Sequence, residues 1–163
     1  MNKKTFIAAI VLSIACIMSA SAFGIGFQLD GNFRYSGFGG GGSVAFKLDE
    51  LPIYFAANVS GGQDYGFGAG LAGDYWFFNK TITKELPIKW FFGVGAYAAF
   101  YSGTGTSLML GARLPIGINA FFADNVVEPY LMIAPQLGFV LGDNWHFPDW
   151  SFPLALGVRF WIK

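Results

Sequence analysis

One stretch, residues 107–122 (SLMLGARLPIGINAFF), limits what this chain can fold into more than any other. Its even positions, Leu108, Leu110, Ala112, Leu114, Ile116, Ile118, Ala120 and Phe122, are all apolar. The odd ones include Ser107, Gly111, Arg113, Gly117 and Asn119. Period two is the signature of a β-strand with two unlike faces. The run is far longer than an ordinary strand of about five or six residues, and its charge lies opposite the aliphatic face. Such a strand suits a wall with lipid outside and a crowded polar lumen inside.

The same alternation recurs in residues 23–35, 43–49, 53–60, 65–78, 88–102, 126–141 and 150–163. Within these segments Asp30, Arg34, Lys47, Asp49, Asp74, Lys89, Arg113, Glu128, Arg159 and Lys163 all fall on the face opposite the aliphatic one. A soluble eight-stranded barrel would carry its charges outside. The inverted polarity predicts an all-β, eight-stranded antiparallel up-and-down transmembrane β-barrel spanning residues 23–163. The run Gly39, Gly40, Gly41, Gly42 is expected to be a flexible loop.

Composition fits a membrane strand protein better than a helical one. Charged residues are 12% of the chain and aromatic ones 19%, alongside 23 glycines, whereas soluble domains carry about a quarter charged residues. The longest uncharged run, 90–112, is cut by Ser102-Gly103-Thr104-Gly105-Thr106-Ser107, and Gly93 and Gly95, two apart, suit a strand better than a helix interior. The N-terminus reads as a secretory signal over residues 1–22. Lys3 and Lys4 give the basic start, residues 6–15 the apolar stretch, and Ala20-Ser21-Ala22 the cleavage site. A lipoprotein signal on Cys16 competes, but Ser13 stands where such a signal prefers Leu. Cleavage after Ala22 would remove the one cysteine and leave eight basic against ten acidic residues. No disulfide, metal site, cofactor or nucleic-acid surface is expected.

Aromatic residues gather at the segment ends. Tyr35, Phe38, Tyr65, Phe67, Phe100, Phe139, Trp145 and Trp150 lie toward one rim, and Phe23, Tyr75, Phe77, Trp90, Phe92, Phe122 and Phe160 toward the other. Two girdles of this kind mark the two interfaces of an outer-membrane barrel. On these features the chain resembles the small eight-stranded outer-membrane barrels typified by the OmpA and OmpX transmembrane domains. More narrowly, GLAGDYWFFNKTITKELPIKWFFGVGAY (70–97), GARLPIGINAFFADNVVEPYLMIAPQLGFVL (111–141) and the closing LGVRFWIK resemble a spirochaetal family of such barrels. The resemblance implies an outer-membrane location, contact with outer-membrane lipid and the barrel-assembly machinery, and no established chemistry. Two features depart from the type. The chain ends Ile162-Lys163 rather than in an aromatic residue, and Pro115, Pro129, Pro135 and Pro153 stand inside strands, where bulges, breaks or earlier ends are expected.

Candidate sites follow from the faces. Asp30, Arg34, Lys47, Asp74, Lys89, Arg113, Glu128, Arg159 and Lys163 would form a paired lumen network in place of a hydrophobic core. Counting from the hairpins puts Asp30 near Lys47, Asp74 near Lys89 and Glu128 near Lys163. Gly66, Gly68, Gly70, Gly93 and Gly95 would leave room for Phe91, Tyr97, Tyr130 or Trp161, with Gly70 near Gly95. Tyr35, Phe38, Trp145, His146 and Trp150 are the candidates for contacts by loops 35–42 and 142–150 with an extracellular ligand. A rim arrangement of His146 with Ser102 or Ser107 and Asp143 or Asp149 would be needed for lipid-modifying catalysis, and loop histidines beside aromatics are more often interfacial. The expected role is structural or surface interaction rather than enzymatic, with a small-solute or hydrophobic-ligand barrel as the alternative.

Overall fold

The computed structural model describes residues 22–34, 37–49, 52–62, 66–82, 87–103, 105–143 and 145–162. Residues 1–21, Tyr35, Tyr65 and Lys163 lie outside the described residues, and with them most of the predicted signal segment. Ten strands form one antiparallel sheet: β1 (Phe23–Arg34), β2 (Gly37–Leu48), β3 (Ile53–Gly62), β4 (Gly66–Thr81), β5 (Ile88–Ser102), β6 (Thr106–Arg113), β7 (Ile116–Ala120), β8 (Val127–Ile133), β9 (Gln136–Gly142) and β10 (His146–Ile162). β6 and β7 lie end to end along β5, and β8 and β9 end to end along β10, so the ten strands make eight crossing segments. β1 pairs with both β2 and β10, which closes the ring. An eight-stranded closed barrel leaves no edge, and its interior is just wide enough for side chains to fill.

Side chains alternate across the wall as the period-two pattern requires. Phe27, Leu29 and Leu71 point outward and stand 71%, 71% and 65% exposed, while Tyr54 and Phe91 point inward and are fully buried. Water would not tolerate an outer face this continuously apolar. Rings at both rims pack on one another, as in Phe33 against Phe38 and Phe139 against Phe147 at one end, and Phe77 against Phe92 and Phe78 against Trp90 at the other.

Several boundaries differ from the sequence reading, each for a physical reason. The glycine run at 39–42 is strand, because both edges of β2 are hydrogen-bonded, to β1 on one side and β3 on the other. Pairing on two sides overrides the low strand propensity of glycine. β10 begins at His146, so the connection from Gly142 is short and the predicted loop 142–150 is mostly strand. Pro115 and Pro135 each interrupt a strand, but the register is the same on either side of the gap. Their carbonyls still accept, from Gly93 N at 2.9 Å and Leu114 N at 3.0 Å. Pro129 and Pro153 sit within unbroken strands. The register shifts lie elsewhere, between Tyr75 and Phe78 in β4 and between His146 and Asp149 in β10. β4 also runs on to Thr81, which places Lys80 in a strand, opposite outward-facing Trp90 and exposed at the rim. Lys80 is thus an exception to the inward rule, its ammonium 4.9 Å from the Phe78 ring centroid at the rim.

Candidate functional site

The lumen divides into two halves. Near the chain termini it is filled by large side chains. Trp76 stacks on Phe91 with centroids 3.7 Å apart and on Tyr54 at 5.5 Å. Beside this stack lies Arg159, whose side chain and that of Glu128 are both 0% exposed, paired at 2.7 Å. Glu128 sits directly across from Arg159 on the neighbouring strand. Its carboxylate accepts from Arg159 Nε and Nη2, from Trp161 Nε1 at 2.7 Å and from Asn119 Nδ2 at 2.6 Å. Four donors on one carboxylate are the condition under which a fully buried charge becomes tolerable. Arg159 Nη1 has no hydrogen-bond partner, but its guanidinium carbon lies 4.2 Å from the Tyr130 centroid and 5.0 Å from that of Trp76. The ring faces supply the negative potential instead. Lys47 is held the same way, between Trp76 at 5.5 Å and Trp161 at 5.2 Å. Lys89 lies over Phe121 at the terminal mouth.

Glycines place these groups. Gly95 pairs with both Asp74 on β4 and Arg113 on β6. With no side chain between them, Arg113 Nε reaches Asp74 Oδ1 at 3.0 Å across the intervening strand. A Cβ on Gly95 would stand 2.1 Å from that same oxygen. Gly157 lies likewise between Tyr130 and Gln28, and the Tyr130 hydroxyl donates to Gln28 Oε1 at 2.5 Å. Tyr54 donates to the same oxygen. Gln28 then donates to Asp30 at 2.6 Å, and Ser43 donates to Asp30 as well.

The half remote from the termini is emptier. Inward positions on β2, β3 and β4 are Gly39, Gly41, Ser43, Asn58, Ser60, Gly68, Gly70 and Ala72, so this wall projects little into the lumen. A partly enclosed cavity of about 70 Å³ remains between it and Tyr97, Tyr101 and Arg113. Arg34 closes part of the mouth, 3.7 Å from Asp149, with its Nη2 donating to the Tyr101 hydroxyl.

These contacts revise the predicted pairs. Asp74 meets Arg113 rather than Lys89, which lies six residues away along β5, roughly 20 Å. Asp30 is held by Ser43 and Gln28, and Lys47 stands six residues along β2 from the rung of Asp30. Glu128 takes Arg159; Lys163 is outside the described residues. Gly70 pairs with Ala99, not with Gly95. The rings named for the glycine patch lie over other glycines: Phe91 over Gly117, Tyr97 over Gly111 and Gly138, Tyr130 over Gly157, and Trp161 over Gly24. Two members of the network lie outside the predicted set: Asp149, which the sequence offers only as a rim candidate in loop 142–150, and Gln28, which is uncharged and has no signal beyond its inward parity.

At the rim, Phe38 and Trp150 are strand residues facing outward, and Trp145 is exposed. His146 Nε2 lies 3.4 Å from Asp149 Oδ1, but Asp149 is shared with Arg34, and Asp143 accepts from the Thr106 backbone N–H. Among the described residues, no group of three or more His, Cys, Asp or Glu side chains could hold a metal ion.

Among solved structures, Neisserial surface protein A matches with a TM-score of 0.54 at 14% identity, covering 85% of this chain and 95% of that one. The N-terminal β-barrel domain of Pseudomonas aeruginosa OprF matches at 0.51 and 17% identity, covering 84% and 97%. This chain has the fold of the outer-membrane β-barrels. No family model and no curated protein matches it.

Proposed function

We propose that the protein is an integral barrel of the outer membrane, with both termini toward the periplasm, serving a structural or surface-interaction role rather than that of an open pore or an enzyme. The observation that carries this is the filling of the terminal half, where the Trp76–Phe91–Tyr54 stack and the Glu128–Arg159 pair occupy the lumen. The apolar outer wall and the inward charges support a lipid surround. Its partners on this reading are outer-membrane lipid and the assembly machinery, after export by a cleaved signal over residues 1–22. The motifs in 70–97 and 111–141 are the basis for grouping it with the spirochaetal barrels. A hydrophobic-solute barrel finds less support, because the remaining cavity, although Leu71, Ala99 and Met132 also line it, presents Asp30, Arg34, Asn58 and Arg113 to any occupant. Reconstitution in planar bilayers tests the reading: purified folded protein should show no stable single-channel conductance, and a steady ohmic pore would refute it.

A further inference from the structure

We propose that the open half of the lumen is a binding recess for a small zwitterion of the α-amino acid kind. The recess carries opposite charges on different walls. Asp30, on β1, has hydrogen bonds from Ser43 and Gln28 but no ion pair among the described residues. Arg113 enters from β6 and Arg34 from the mouth. Two residues around it, Asn32 and Tyr97, hold buried side-chain oxygens with no hydrogen-bond partner among the described residues. Buried polar atoms of this kind are seldom left without water or ligand.

Size and polarity select the occupant. About 70 Å³ gives room for on the order of five water-sized positions at roughly 10–15 Å³ each. An apolar molecule would leave Asp30 and Arg113 facing it without a polar partner, whereas a lone anion would face Asp30 and a lone cation Arg113. A zwitterion places its ammonium on Asp30 and its carboxylate toward Arg113 and Arg34, beside their ion pairs with Asp74 and Asp149. Since the terminal half is filled, the occupant enters and leaves by the mouth beside Arg34. The proposal rests on the lumen alone and holds whether or not the barrel is a resident of the outer membrane.

Saturation-transfer NMR on the detergent-solubilised barrel tests it, with glycine, acetate and methylammonium as separate probes. Glycine should show saturable transfer, with each half-probe at least about tenfold weaker, as expected when one charged hydrogen-bonding end is lost. Asp30→Asn should weaken glycine by a similar factor. Ala99→Leu, which fills the recess without touching an ion pair, should abolish the transfer and keep the folded gel mobility; it carries the test if Asp30→Asn fails to fold. Acetate binding as well as glycine, glycine indifferent to both substitutions, or no saturable transfer from any probe would each overturn the assignment.

Discussion

The two halves of the lumen are enclosed by the same eight crossing segments, yet one is packed solid and the other is partly empty. The difference lies in which strands present small residues inward. In the terminal half, glycines are interleaved with large side chains, so Trp161 lies over Gly24, Phe91 over Gly117 and Tyr130 over Gly157. In the other half the small residues are neighbours, from Gly39 and Gly41 through Asn58 and Ser60 to Gly68 and Gly70, with few large partners to cover them. Glycine thus does opposite jobs. Interleaved with bulk it allows dense packing; clustered, it leaves a hollow.

Substitutions should separate the halves by the size of their effect. The largest is expected at Glu128→Ala, which strands Arg159 without its carboxylate. Removing one partner of a buried pair costs about 3–5 kcal/mol, read as a lower urea midpoint by tryptophan fluorescence and loss of heat-resistant gel mobility. Gly95→Ala comes next, since the new methyl meets Asp74 Oδ1 and the Gly73 carbonyl. Overpacking of this sort costs about 1–3 kcal/mol, read by the same urea midpoint and gel mobility. In the hollow half, Asn32→Ala removes an acceptor that has no donor and should change stability by less than about 1 kcal/mol. An Asn32→Ala effect as large as that of Glu128→Ala would show that the hollow carries structural weight and would erase the contrast. Smallest of all, Lys80→Ala at the rim should stay within about 0.5 kcal/mol.

The faces were readable because period two is a local property: Arg113, Glu128 and Arg159 are inward by parity alone, whatever their partners. The pairs were not, because register depends on where each turn begins and on bulges that composition does not announce. Asp74 was matched to Lys89 by counting outward from a presumed hairpin, while the extra residue between Tyr75 and Phe78 shifts that count and Gly95 opens a reach to Arg113 two strands away. Glycine 39 to glycine 42 misled in the other direction, as local flexibility there yields to ladders on both sides. Pro129 and Pro153, where disruption was anticipated, are absorbed within continuous strands. The stacking of Trp76 on Phe91 had no linear signature beyond two inward aromatics fifteen residues apart.

Twelve successive residue pairs, from Phe23 with Ile162 to Arg34 with Ser151, join the first strand to the last. The first and last described strands therefore meet at a single seam, where β10 supplies the whole of the ladder that β1 needs on that side. Loss of β10 would leave a sheet with two raw borders, each facing hydrocarbon that offers no hydrogen bond. At the seam a single strand thus decides whether the wall closes or leaves a slit along its height.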